Sequence, residues 1–234
     1  MKRIISFFIF IFILNSVCAQ TDSKNILLKS GKIHLENKFN ISPEITEIVH
    51  ADYYRFIQFS EIPSEEQKNI LIEDGIKFLE YIPFNTYVVS VSTSFSDIEK
   101  LREFGAISLQ SILPEQKIDP KLQNGKCPEW ALDKNMASIK VLFYKNINID
   151  IILNDFTQKQ YRVIETNFTN QYIVLNIELD KISKVSESPY VSFIEPIDPP
   201  SEKENKTGRT LHRSNTINTN YASGRHYNGE GINI

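Results

Sequence analysis

The middle of this chain repeats itself, and a repeat of this length restricts the fold more than any other feature of the sequence. Shifted by 85 residues, Arg55-Phe56-Ile57-Gln58-Phe59 falls on Lys140-Val141-Leu142-Phe143-Tyr144. With no gap, Leu71 then meets Phe156, and Asn85-Thr86-Tyr87-Val88-Val89 meets Asn170-Gln171-Tyr172-Ile173-Val174. A shorter loop lowers the offset to 81, so that Ile98 and Leu101 meet Leu179 and Ile182, and Ser111-Ile112-Leu113 meets Ser192-Phe193-Ile194. Two copies are a duplication, since a solenoid needs at least about three repeats to bury a continuous core.

Each copy reads strand, helix, strand, strand, helix, strand. In the first, Phe56–Phe59 opens as a strand, and Pro63-Ser64-Glu65-Glu66 starts a helix with an acidic first turn that suits the helix dipole. Gly75 ends that helix. Ile76–Ile82 and Thr86–Val91 are β-rich runs broken by Pro83-Phe84-Asn85. Ser96-Asp97-Ile98-Glu99 caps a second helix, Gly105 closes it, and Ile107–Leu113 is the last strand. The second copy keeps the plan from Ser138 to Pro196, with Asn148 or Asp150 starting its first helix. This order places four antiparallel strands under two helices, so the expected fold is α+β: two tandem ferredoxin-like (β-α-β-β-α-β) units with antiparallel sheets, then a mobile tail. The expected organisation is an N-terminal extension over 20–50, units over 51–118 and 138–198, a linker over 119–137 and a tether over 199–223. Ile26–Leu35 suggests a short hairpin within the extension. Lys121–Pro128 reads as linker, and Pro199–Arg209 has no apolar residue beyond its prolines, a composition that does not fold and that proteases cut.

Met1-Lys2-Arg3 and the apolar run Ile4–Leu14 form a secretory leader, cut between Ala19 and Gln20. The run is too short for the roughly 20 residues that span a bilayer, so no stable membrane anchor is expected and the protein should be secreted or otherwise exported. Removal of 1–19 leaves one thiol, Cys127, which reads as a buried unreactive cysteine or one with a partner elsewhere. The net charge of −3, with Lys and Arg spread along the chain, argues against nucleic acid as a partner.

No constellation for chemistry stands out. His34, His50, His212 and His226 have no metal spacing, and no nucleophile elbow, His-Glu-x-x-His pair or phosphate loop is present. Glu65-Glu66 and Asp97-x-Glu99 sit at helix starts, where carboxylates favour the dipole and face water. The sequence thus offers no catalytic residue, no metal ligand set and no cofactor site.

The leader, the small sheet units, the polar tether and the terminal Gly229-Glu230-Gly231-Ile232-Asn233-Ile234 together resemble the front of a subtilisin-like serine protease precursor. Arg213-Ser214-Asn215 followed by Tyr227–Ile234 is similar to the start of that catalytic domain, which places its first strand over 224–234 and the chain's end ahead of the triad. The resemblance implies a pro-region that assists folding of its cognate catalytic domain and inhibits it, and that has no peptidase activity itself. It implies processing near Arg209, Arg213 or Ser214 and an inhibitory tail starting at Ile194, Glu195 and Pro196. Tandem units depart from the commoner single prodomain, leaving open which one inhibits. The rival readings are a secreted protein- or glycan-binding module and a free-standing protease inhibitor.

Overall fold

The first described residues pair with one another: β1 (Asn25–Leu28) and β2 (Gly31–His34) form an antiparallel hairpin. The computed structural model describes residues 25–200, so the leader with its cut at Ala19–Gln20, the segment from 201 on, and His212 and His226 lie outside the described residues. Residues to Ile197 belong to one compact unit, and a second unit starts at Asp198.

The first half runs β3 (Asp52–Phe59), α1 (Glu65–Glu73), β4 (Ile76–Ile82), β5 (Thr86–Ser92), α2 (Ile98–Glu103) and β6 (Ala106–Ser111). Local chemistry sets these limits. The Ser64 hydroxyl accepts from the Gln67 amide while the Gln67 side chain accepts from the Ser64 amide, a reciprocal cap at the α1 start. Gly75 then takes a φ of +102°, and a side chain there would strike Ser92 at 2.8 Å. The four strands are antiparallel in the order β4-β5-β3-β6. Tyr53, Ile57, Phe59, Tyr87, Val89 and Leu109 pack with Leu71 of α1 and Leu101 of α2.

The second half runs β8 (Met136–Phe143), α3 (Ile149–Gln158), β9 (Arg162–Asn167), β10 (Tyr172–Glu178), α4 (Ile182–Ser186) and β11 (Val191–Pro196), preceded by the short β7 (Leu132–Asp133). Asn148 caps α3, its side-chain oxygen accepting from the Asp150 amide. The antiparallel order is β9-β10-β8-β11, with β7 joined to β8. Ala137, Ile139, Val141, Phe143, Ile173 and Leu175 pack with Ile152 and Phe156 of α3 and Val185 of α4. The protein is therefore α+β, built on antiparallel sheets with few helices.

The repeat is real in element order, but its alignment needs correction. Facing pairs in the helix-side cores are Ile57 with Tyr87 and Val141 with Ile173. Ile57 therefore corresponds to Val141, an offset of 84, and Tyr87 to Ile173, an offset of 86. The gapless shift of 85 turns β8 and β10 over relative to β3 and β5, because a slip of one residue turns every side chain over, whereas it holds for Leu71 with Phe156 and for Phe78 with Val163. The offset of 81 is also overturned: Ile98 and Ile182 both begin their helices, and Leu109 and Ile194 occupy matching places in the last strands. The cause lies in β3, where Tyr54 and Phe56 are as buried as Ile57 and Phe59, so the strand carries no apolar alternation to fix its face. In β8 burial does alternate, residue by residue.

Each half also starts earlier than its first strand. Phe39 forms a parallel bridge with Leu109 of β6, and Ile118 forms one with Ile194 of β11. A short upstream segment thus covers the outer edge of the last strand in both sheets, an edge otherwise open to pairing with other chains.

Candidate functional site

The helix-free faces of the two sheets are put to different uses. On the first sheet this face carries Tyr54, Phe56, Gln58, Thr86, Val88, Ser90 and Ser108, all buried. Ile26, Leu28, Ile33 and Leu35 of the hairpin cover it, together with Tyr144 and Ile147 from the second half. Its polar groups are paired inside the chain. Gln58 and Thr86 donate to the Phe84 carbonyl, Ser90 donates to Asp52, and Asn146 donates to Ser90. Tyr54 stacks on Tyr144 at 3.8 Å between ring centres and donates its hydroxyl to Asn146.

On the second sheet the corresponding face carries Ser138, Lys140, Leu142, Tyr172 and Asn176, each partly exposed. Lys140 lies over the Tyr172 ring at 5.4 Å, Tyr172 donates to Glu165, and Asn176 donates to Ser138. One corner is touched by the hairpin turn, where Lys29 lies over Phe193 and within 3.8 Å of Glu195. The middle of this face holds the partly exposed Leu142 and the buried Val174.

The sequence-expected tail residues do not lie in a tail. Ile194 is fully buried in the second core opposite Val141, Glu195 lies opposite Lys140, and Pro196 is buried opposite Ile139. All three belong to β11. Arg209, Arg213 and Ser214 lie outside the described residues. Glu65 is paired with Lys68 and Glu99 with Arg102, and Asp97 caps α2. Cys127 is an unbridged, half-buried thiol, and burial pushes its pKa up. Among the described residues no cluster of His, Cys, Asp and Glu has the geometry to hold a metal ion. No described helix is long and apolar enough to cross a membrane.

Two buried cations went unread in the sequence. Arg55, 1% exposed, forms a two-pronged pair with Glu47 at 3.0 Å on each arm and donates to the backbone carbonyls of Asn40 and Tyr54. Burial works against the Glu47 carboxylate, yet hydrogen bonds from Arg55 and the Glu44 amide hold its pKa below the usual range. Lys117 is 5% exposed. An Arg at an inward position of an otherwise apolar strand was the available signal for the first. Lys117, in a polar turn beside Pro114, offered none.

Residues 27–116 match the model of a family described as a domain of unknown function, DUF8729. The matched span takes in most of the hairpin, the edge segment and the whole first half, and stops before the second. No curated protein and no solved structure matches the chain.

Proposed function

We propose that this chain is the pro-region of a secreted subtilisin-like serine protease, made of two tandem ferredoxin-like units of which the second receives the catalytic domain. The strand orders β4-β5-β3-β6 and β9-β10-β8-β11 support the ferredoxin-like reading of each half. The observation that carries the functional reading is the contrast between the two helix-free faces. The chain's own hairpin fills the first, whereas Ser138, Lys140, Leu142, Tyr172 and Asn176 on the second are only partly buried among the described residues. A sheet face that accepts helices from a partner needs a modest apolar centre and a charged rim, to which the partly exposed Leu142 and Lys140 and the exposed Glu165 contribute.

In this reading the leader is removed after Ala19, processing occurs near Arg209, Arg213 or Ser214, and the inhibitory segment starts beyond Pro196, since Ile194–Pro196 are engaged in β11. The partner is the cognate catalytic domain, and the chain itself supplies no catalytic group, cofactor or nucleic-acid site. An exported binding module would use the same face. A row of exposed aromatics would favour it, whereas the strand aromatics of this face are Tyr172 and the buried Phe193.

The test starts from the reading frame that follows the codon for Ile234. The proposal expects it to encode a catalytic domain with Asp, His and Ser motifs. Residues 25–200 supplied in trans should speed recovery of its activity on refolding and then slow substrate cleavage. A stop codon, or an encoded domain that is neither bound nor slowed, would overturn the reading.

A further inference from the structure

A cavity of about 300 Å³ opens between the first half, the turn at 114–117 and the α4–β11 loop, and Lys117 lines it. The Lys117 ammonium has three donors, yet among the described residues its one hydrogen bond is to the Ser188 carbonyl, at 3.3 Å. Burying a cation with so little compensation is costly. The cost shows in its acidity: burial pushes its pKa from 10.5 down to about 8, with only the field of Glu47 opposing. Glu47 is itself committed to Arg55, so this neighbouring pair is neutral as a unit. Glu187, at the rim, is exposed and forms no ion pair with Lys117 within 4 Å. Of the two cations that line the cavity, Arg55 is held by Glu47, and Lys117 has no ion-pair partner within 4 Å among the described residues.

The remaining lining residues are Thr46 and Ser111 with the apolar Ile112, Leu113, Pro114 and Pro189, and the Tyr54–Tyr144 stack at one side. A single carboxylate needs one cation and can leave its hydrocarbon against these walls. The volume lies at the small end of the roughly 300–1,000 Å³ usual for ligand sites.

We propose that this cavity binds a small monocarboxylate with an apolar body, its carboxylate on the Lys117 ammonium and its hydrocarbon among Ile112, Leu113, Pro114 and Pro189. Two sources share this chemistry: a short free fatty acid, and the C-terminus of a peptide that ends in an apolar residue. Neither depends on the protease reading.

The experiment is calorimetric titration of the full chain at pH 7 with hexanoate, hexanol and N-acetyl-leucine. Hexanoate should bind one to one, about tenfold or more tightly than the uncharged hexanol, the size expected of a charge-assisted hydrogen bond. Tighter binding of N-acetyl-leucine than of hexanoate would assign the peptide source, and the reverse order the fatty acid. Lys117→Met should abolish the preference for hexanoate. If that variant does not fold, the hexanoate-to-hexanol ratio on the unaltered chain decides alone. Equal affinities for the two, no heat from either acid, or a preference that survives Lys117→Met would overturn the proposal.

Discussion

The two halves share an element order and a strand order, yet they handle the same problem in opposite ways. A four-stranded sheet with helices on one face leaves the other face bare. In the first half Tyr54, Phe56 and Val88 make that face apolar, and the chain covers it with its hairpin and with Tyr144. In the second half Ser138, Lys140 and Asn176 make it more polar, and these residues and Leu142 stay partly exposed while Val174 is buried. The difference shows that two units of one element order can bury the same face to different extents, and under the proposal the second face is the one that meets a partner. The inward position of Arg55 makes the same point. Its counterpart after the corrected offset of 84 is Ile139, so the first half carries a buried ion pair where the second carries plain hydrocarbon.

The most forceful way to break this comparison is to truncate equivalent faces. Phe56→Ala should cost about 3–5 kcal/mol, as a buried Phe truncation does, whereas Leu142→Ala on the half-exposed face should cost about 1–2 kcal/mol. Urea unfolding of both variants checks the pair, and equal losses would dissolve the distinction.

Removing one member of the buried pair comes next. Glu47→Ala leaves the Arg55 guanidinium uncompensated and should cost about 3 kcal/mol, while Arg55→Met combined with Glu47→Leu, which imitates the second half, should cost less than Glu47→Ala alone. Because the Glu47 carboxyl is held below its usual range, its contribution is present above pH 4.5 and fades as the pH falls through the lowered value.

Lys117 gives a slope of the same sign at alkaline pH. Its folded pKa of about 8 lies below the 10.5 it has when exposed, so between those values the unfolded chain holds more protons. Stability should therefore rise from pH 8 to 10.5, by an amount on the order of 1–3 kcal/mol. Lys117→Met should flatten the rise, as denaturation midpoints across that range would show.

The smallest effect distinguishes helix starts. Ser64→Ala breaks the reciprocal cap of α1 and should cost about 1 kcal/mol, whereas Lys181→Ala at the α4 start, which has no side-chain cap, should change thermal stability by a few tenths at most.

Much of the element order could be read from the sequence, because its signals are local. Gly75 and Gly105 close helices, Ser64 and Asn148 open them, and Pro83-Phe84-Asn85 separates two strands. What could not be read is which face each strand buries. In β3 the residues on both faces are apolar, since both faces are covered, and the period of two that normally reports the inward face is lost. The same missing alternation produced the one-residue error in the repeat. The open face of the second sheet was equally hidden, because exposure depends on where the hairpin lands. Arg55 could have been noticed as a charge inside an apolar strand. Burial of Lys117 depends on contacts 71 residues away, at Ser188, which no local pattern announces.

The central claim is that the second sheet presents its helix-free face to a protease catalytic domain while the first keeps its own face inside. Hydroxyl-radical footprinting of the chain, alone and with the catalytic domain that the proposal expects as its partner, tests this directly. The account predicts that oxidation of Leu142 and Tyr172 falls several-fold in the complex, with exposed Tyr81 of the first sheet unchanged and Phe56 protected in both states. Unchanged oxidation of Leu142 and Tyr172 in a stable complex, or protection that falls on Tyr81 instead, would contradict it.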